Sequence, residues 1–149
     1  MSTLKSQLFD ICITHVNKRI TSYKDEIETI KDSIDSSDKS TDEDDASGNG
    51  KLMNDLEKNA QYLSDAYKML DVIKQINPKT MHQNIVLGSL VKTSSSNFFI
   101  AVSIGKVEVD DDSYYIISKS SPIGQLLLNK AVGDEIVFNA NRYKILEVK

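Results

Sequence analysis

The chain has 149 residues, a formal net charge of −4 and 40% hydrophobic residues, proportions typical of a soluble globular protein with one domain or two small units. No apolar run is long enough to cross a bilayer, and the chain does not open on a basic segment followed by an apolar one, so we expect a cytoplasmic protein without a membrane partner. The single cysteine, Cys12, excludes an internal disulfide, and its helical, apolar surroundings favour a packed side chain over a nucleophile.

The first 78 residues have the spacing of two coiled-coil helices. In each of two segments, seam residues recur at alternating intervals of four and three, the heptad pattern of a helix that packs along one seam. The first seam is Phe9, Ile13, Val16, Ile20, Tyr23, Ile27, Ile30 and Ile34, and the second is Leu52, Leu56, Asn59, Leu63, Ala66, Leu70 and Ile73. Two such seams joined by a short polar stretch bury each other as an antiparallel hairpin. The proline of Asn77-Pro78 ends the second helix.

An acidic run lies at the predicted tip of this hairpin. Residues 35–45 hold six acids and one base, Lys39, and the midpoint between the seams falls within this run. Arms of about thirty residues extend about 45 Å at 1.5 Å per residue, which is long enough to deliver carboxylates into a narrow channel. Carboxylates suit hard cations such as Mg²⁺. The alternative is a solvated acidic surface or a disordered loop.

From residue 79 onward the heptads give way to short strands. Runs rich in Val, Ile, Phe and Tyr predict strands at 84–93, 97–104, 113–118, 135–138 and 142–148. The predicted helix Pro122–Asn129 has Ser121 as its N-cap and proline at its first position. The sequence therefore predicts an α+β protein with two parts. A long antiparallel coiled-coil hairpin forms 1–78, with its tip near 41–45, and a small, mostly antiparallel sheet domain with one short helix forms 79–149.

No pattern in the chain points to catalysis by the protein alone. There is no phosphate-binding glycine loop and no cluster of Cys and His with metal-ligand spacing. His15 and His82 have no partner motif, so each is expected to be an ordinary surface or packing residue.

The stretch from Ser121 to Asp134 resembles the C-terminal signature of bacterial Gre-type transcription elongation and transcript-cleavage factors. The matching groups are Ser121-Pro122-Ile123-Gly124, Leu127-Leu128-Asn129-Lys130 and Val132-Gly133-Asp134. The chain departs from the family at Asn129, where glycine is usual. The resemblance implies an FKBP-like α+β domain that binds RNA polymerase, with Ser121, Pro122 and Ile123 as the expected partner-binding residues. The alternative for these three residues is that they only cap and pack the short helix.

By the same resemblance, the coiled coil enters the secondary channel of the polymerase. Its tip acids then hold a second Mg²⁺, shared with the polymerase active site, so that the polymerase cleaves its own backtracked RNA. The candidate ligands are Asp42, Glu43, Asp44 and Asp45. No cofactor is expected on the protein alone, and contact with nascent RNA and DNA is indirect. The oligomeric state is left open, with a monomer as one alternative.

The family tip reads Gly-Asp, two residues, then Glu, and two alignments are open. The first places Asp45 at the aspartate and Gly48 at the glutamate, and the second uses Asn54–Tyr62 and places Lys58 at the glutamate. Either alignment leaves the second acid missing.

Four functions therefore stay open. The first is a factor that stimulates cleavage, and the second is a related regulator that occupies the channel without stimulating cleavage. The third is a prolyl isomerase or chaperone, because the sheet domain resembles FKBP in fold, although the chain has no tryptophan to line such a pocket. The fourth is a coiled-coil adaptor. The chain is not expected to be an enzyme itself and at most stimulates the nuclease activity of the polymerase.

Overall fold

Two long helices form the N-terminal half of the chain in the computed structural model, which describes residues 3–37 and 45–149. Helix α1 spans Leu4–Ser37 and helix α2 spans Asp45–Lys74. The described chain divides into two compact units. One comprises the residues up to Thr14 together with Asp71–Lys149, and the other is His15–Leu70. These units are bounded differently from the sequence domains 1–78 and 79–149, which stay a prediction.

Within the unit His15–Leu70, α1 and α2 are antiparallel. Arg19 Nη1 lies 3.8 Å from the Met69 sulfur. Further along α1, the ring of Tyr23 lies 5.5 Å from the ring of Tyr62, which comes earlier in α2. No residue of the two predicted seams is exposed, so the predicted hairpin and its heptad pattern are confirmed.

Asn59 occupies the one polar seam position and is half-buried. Its side-chain amide donates to the backbone carbonyl of Asp55, one turn earlier in the same helix, at 2.9 Å. This bond satisfies the amide within its own helix, and apolar residues flank it along the seam.

The buried face of α1 shifts near the start of the helix. Lys5, Leu8 and Cys12 are buried there, whereas the predicted seam residues Phe9 and Ile13 are only half-buried. These turns belong to the compact unit of the sheet, so their buried face differs from the one that pairs with α2. The prediction that Cys12 is packed is confirmed, and burial raises the pKa of its thiol to about 12.

The sheet within residues 71–149 has six strands in the spatial order β3-β4-β2-β1-β6-β5. They are β1 Leu90–Thr93, β2 Asn97–Ala101, β3 Gly105–Val109, β4 Asp112–Ser118, β5 Glu135–Phe138 and β6 Asn141–Val148. Neighbours are antiparallel except β2 and β4, which are parallel. Helix α3, Pro122–Leu127, lies between β4 and β5 in the chain. The predicted α+β class is confirmed.

Two strand predictions were wrong in detail. Strand β3 was not predicted, because it is an edge strand in which Lys106 and Glu108 alternate with two valines, so it lacks a β-rich run. Residues 84–89 do not form the predicted start of β1. Gly88 has a φ of +89° there, and this left-handed conformation interrupts an extended chain.

Both faces of the sheet are buried at its centre. Phe98 and Ile100 of β2 belong to a core cluster that includes Leu127 of α3. Phe99 and Ala101 are also buried, and they face the other side because side chains alternate along a strand. Leu4 of α1 lies on that second face, where it lines a cavity with Leu90 and Tyr114.

Candidate functional site

The four acids predicted at the tip of the hairpin lie largely beyond the described chain. Asp42, Glu43 and Asp44 are outside the described residues. Asp45 is the first residue of α2, and its side chain is outside them as well. The assignment of these acids as Mg²⁺ ligands therefore stays a prediction. Since α1 ends at Ser37 and α2 begins at Asp45, residues 38–44 connect the two antiparallel arms.

The competing tip alignment, Asn54–Tyr62, falls inside α2. Tyr62 is in ring contact with Tyr23 of α1, so this segment contributes to the paired arms of the hairpin. The first alignment places the family aspartate at Asp45, the first residue of α2, directly after the connection 38–44.

The loop predicted to bind a partner forms the start of α3. The Ser121 hydroxyl donates to the Ser118 carbonyl oxygen at 2.7 Å, and its oxygen accepts from the Gly124 N–H at 3.1 Å. Pro122 is exposed at the first helical position, and Ile123 packs half-buried against the core cluster. The predicted N-cap is confirmed. Partner binding by Ser121, Pro122 and Ile123 stays a prediction, with capping and packing as their observed roles.

Gly124 cannot carry a side chain in this arrangement. A Cβ added to it would lie 2.2 Å from the Ser118 carbonyl oxygen and 2.8 Å from the Ser121 hydroxyl. The close approach of helix and strand end thus explains why this group of the signature contains glycine.

Asn129 stands where the family usually has glycine, and its backbone conformation explains why asparagine fits this position. Its φ of +67° is left-handed, a conformation that glycine adopts freely and asparagine tolerates better than most residues. Helix α3 has already ended at Leu127, two residues before the predicted end, because Leu128 has an extended ψ of 134°. The Asn129 N–H donates to the Ile85 carbonyl and the Ile85 N–H donates to the Lys130 carbonyl, both at 2.8 Å. These two hydrogen bonds join the turn after α3 to the segment before β1.

The last group of the signature, Val132-Gly133-Asp134, is a tight turn. Gly133 has a φ of +96°, and the Asp134 carboxylate accepts from the Ala131 N–H at 2.8 Å. The Asp134 carbonyl accepts from the Ile145 N–H at 2.9 Å, which joins the turn to β6. Ser121, Gly124, Asn129, Gly133 and Asp134 each form part of a cap or a turn, and Ile123 packs against the core, so these signature residues have structural roles in the fold.

His82, which lacks a partner motif in the sequence, has a partner in the fold. Its Nδ1 lies 3.0 Å from the Ser89 hydroxyl oxygen, and this oxygen accepts from the Val86 N–H at 2.9 Å. Ser89 is completely buried, so it cannot attack an external substrate. Burial and the nearby positive charge of Lys5 lower the pKa of His82. Lys5 Nζ donates to the Thr80 carbonyl at 2.6 Å, and this bond joins the segment after α2 to the start of α1.

Neither a metal cluster nor a membrane-spanning helix occurs in the described chain. Among residues 3–37 and 45–149, no three His, Cys, Asp or Glu side chains are grouped so that they could hold a metal ion. Within the same ranges, no helix has the length and apolar character needed to cross a bilayer. The fit of Mg²⁺ to the tip acids therefore rests on the chemistry of carboxylates.

An antiparallel helical hairpin followed by an α+β sheet domain with this signature is the architecture expected of a Gre-type factor. Residues 83–149 match the family model described as "Transcription elongation factor, GreA/GreB, C-term". This match confirms the resemblance of the signature to the GreA/GreB family.

Several solved structures are similar to this chain. The GreA factor homolog 1 (Gfh1) of Thermus thermophilus shares 16% identity over 95% of this chain and 94% of its own, with a TM-score of 0.35. Gfh1 of Thermus aquaticus shares 19% identity over 91% and 92%, with a TM-score of 0.32. These values are too low to carry an argument about function. No curated protein matches the chain closely enough to count as a relative.

Proposed function

We propose that this protein is a Gre-like elongation factor that binds RNA polymerase and stimulates cleavage of backtracked RNA with the acidic tip of its hairpin. The observation that carries the proposal is the antiparallel hairpin itself, whose acid-rich connection joins the two arms in a chain with a GreA/GreB domain. From His15 to Ser37, α1 extends about 34 Å at 1.5 Å per residue. A pair of helices of that length can reach through a narrow channel.

The acids at the connection have the chemistry that this activity needs. Mg²⁺ is held by one or two carboxylates together with phosphate oxygens and water, and a pair of such ions stabilises the attacking and leaving oxygens in phosphodiester hydrolysis. Asp42, Glu43, Asp44 and Asp45 supply carboxylates where the two arms meet. In this proposal the polymerase contributes the RNA and the remaining metal ligands, and the chain contributes no nuclease activity of its own.

The second candidate is a regulator that occupies the channel without stimulating cleavage. It is favoured by the tip sequence, since Gly48 stands where the family has glutamate when Asp45 is aligned with its aspartate. The isomerase and adaptor alternatives gain no specific support from the described residues.

Cleavage in stalled, backtracked elongation complexes of the cognate polymerase, measured at limiting Mg²⁺, separates the candidates. Three proteins are compared: the wild type, a tip variant with alanine throughout 42–45, and a control that loses the same number of charges elsewhere on the hairpin. The control replaces Asp25, Glu26, Glu28 and Asp32, all exposed on α1, with alanine.

We expect the wild type and the control to accelerate cleavage, and the tip variant to bind the polymerase without accelerating it. If the control loses activity as fully as the tip variant, the overall charge of the hairpin matters and the tip does not. Unchanged or slower cleavage with wild type that demonstrably binds favours the second candidate. Absence of binding refutes both candidates.

A further inference from the structure

A cavity of about 240 Å³ opens on the second face of the sheet, beside the start of α1. Its apolar wall includes Leu4 of α1 and Leu90 of β1, and its polar wall includes Lys92 and Asp112. Pockets for drug-sized ligands occupy about 300–1,000 Å³. This cavity therefore fits a smaller molecule, with on the order of ten non-hydrogen atoms.

Tyr114 of β4 lines this cavity with a hydroxyl that has no hydrogen-bond partner among the described residues. Only 7% of the residue is exposed. Burial raises the pKa of Tyr114, and the charges of Asp112 and Asp110 raise it further against the opposing effect of Lys149. The hydroxyl is therefore protonated at neutral pH and able to donate. Because Tyr114 lies in the cavity wall and its hydroxyl makes no hydrogen bond to the described residues, this hydroxyl is available to a ligand.

Opposite charges flank the same cavity. Lys149 Nζ lies 2.9 Å from Glu147 Oε1, so these two charges at its edge neutralise each other. Lys92 and Asp112 also line it, and neither has an ion-pair partner within residues 3–37 and 45–149. Lys92 lies on β1 and Asp112 on β4, with β2 between them. Because neighbouring strands are about 4.8 Å apart, the two backbones are separated by about 10 Å.

We propose that this cavity binds a small zwitterion of amino-acid size with an aliphatic body. Lys92 and the Tyr114 hydroxyl bind its carboxylate, Asp112 binds its ammonium group, and Leu4 and Leu90 contact its apolar part. The net charge of the four ionic side chains around the cavity is zero, which favours a ligand that is itself neutral but carries both charges. For so small a molecule we expect a Kd on the order of 1 mM. The site goes beyond the proposed function of the tip and is tested without polymerase.

L-leucine is the probe that matches this chemistry, and the test is a titration of the full ¹⁵N-labelled chain followed by amide chemical shifts. We expect saturable shifts confined to amides around the cavity. Leucine amide lacks the carboxylate and 4-methylpentanoate lacks the ammonium group, so each is expected to bind about tenfold more weakly, the loss of one charge-assisted contact.

Variants of the cavity assign each contact. Lys92→Met and Asp112→Asn are each expected to weaken L-leucine binding about tenfold, and Tyr114→Phe about fivefold, because it removes one hydrogen bond and keeps the ring. The matched control is Tyr115→Phe, which alters the neighbouring, more exposed tyrosine that contacts Phe98 on the first face of the sheet. It is expected to leave the affinity unchanged.

Three results would overturn the proposal. They are the absence of saturable shifts up to about 20 mM L-leucine, well above the expected Kd, binding of the two single-charge probes as tight as that of L-leucine, and unchanged affinity in both charge variants. The dispersion of the amide spectrum shows in each case that the variant is folded, and Tyr114→Phe preserves the buried ring if a charge variant does not fold.

Discussion

Replacing Gly124 with alanine is expected to destabilise the sheet unit. The added Cβ would lie 2.2 Å from the Ser118 carbonyl oxygen and 3.1 Å from Lys119 Cα. Both contacts are with backbone, so helix and strand end must separate by roughly 1 Å to restore an ordinary contact distance. Overpacking of this kind costs about 1–3 kcal/mol, and disturbing the Ser121 cap costs about 1 kcal/mol more. The better helix propensity of alanine returns about 1 kcal/mol.

The expected loss in the free energy of unfolding is therefore about 1–3 kcal/mol, and thermal unfolding should shift down by about 2–4 °C per kcal/mol for a chain of this size. The same loss can be measured by hydrogen exchange of the Ile145 amide, which donates to the Asp134 carbonyl. This amide belongs to the sheet unit, so its exchange reports the stability of that unit separately from the hairpin. The control is Gln125→Ala, an exposed change in the same helix, expected to stay within about 0.5 kcal/mol of wild type. A Gly124→Ala variant as stable as this control would show that the helix is not held as closely to Ser118 as the structure places it.

Three further predictions concern single residues. Ala140 has a φ of +66° in the β5–β6 turn, so Ala140→Gly should raise the free energy of unfolding by about 0.5–1 kcal/mol in urea titrations; a decrease would contradict the left-handed turn. The pKa of His82 is lowered by burial and Lys5, and that of His15 is lowered by burial and Arg19, so the unfolded chain binds protons below about pH 6.5 that the folded chain does not. Stability should therefore fall as pH drops below that value, with a shallower fall in His82→Asn; an equal fall would exclude a role for His82. The Cys12 thiol, with its pKa raised to about 12, should react with iodoacetamide at least a hundredfold more slowly in the folded chain than in urea; equal rates would mean that α1 opens at its start.

Local patterns were enough to predict much of the architecture. The heptad seams predicted both helices because a helix that buries one stripe must repeat its apolar residues with the period of the helix. Ser121 and Pro122 predicted the start of α3, since capping and the fixed φ of proline act within a few residues. The signature around Gly124 and Gly133 was recognisable for a similar reason. Gly124 avoids a contact with Ser118, six residues earlier, and Gly133 has a positive φ in its own turn.

What the tertiary structure decided depends on residues that are distant in the chain. Strand β3 exists because β4 offers it a hydrogen-bonding edge, and its own residues carry little strand signal. The face of α1 that is buried at Leu8 and Cys12 differs from the heptad seam, because these turns belong to the compact unit of the sheet.

The residues that line the cavity, and the His82–Ser89 pair, could likewise not be predicted from local patterns in the sequence. Leu4, Lys92 and Tyr114 line one cavity from α1, β1 and β4, and no spacing in the sequence brings them together. Periodicity, caps and turns are local and could therefore be predicted from the sequence by itself. Strand order, the buried face of the first turns and every contact between distant segments arise only when the chain closes on itself, because they depend on which surfaces meet.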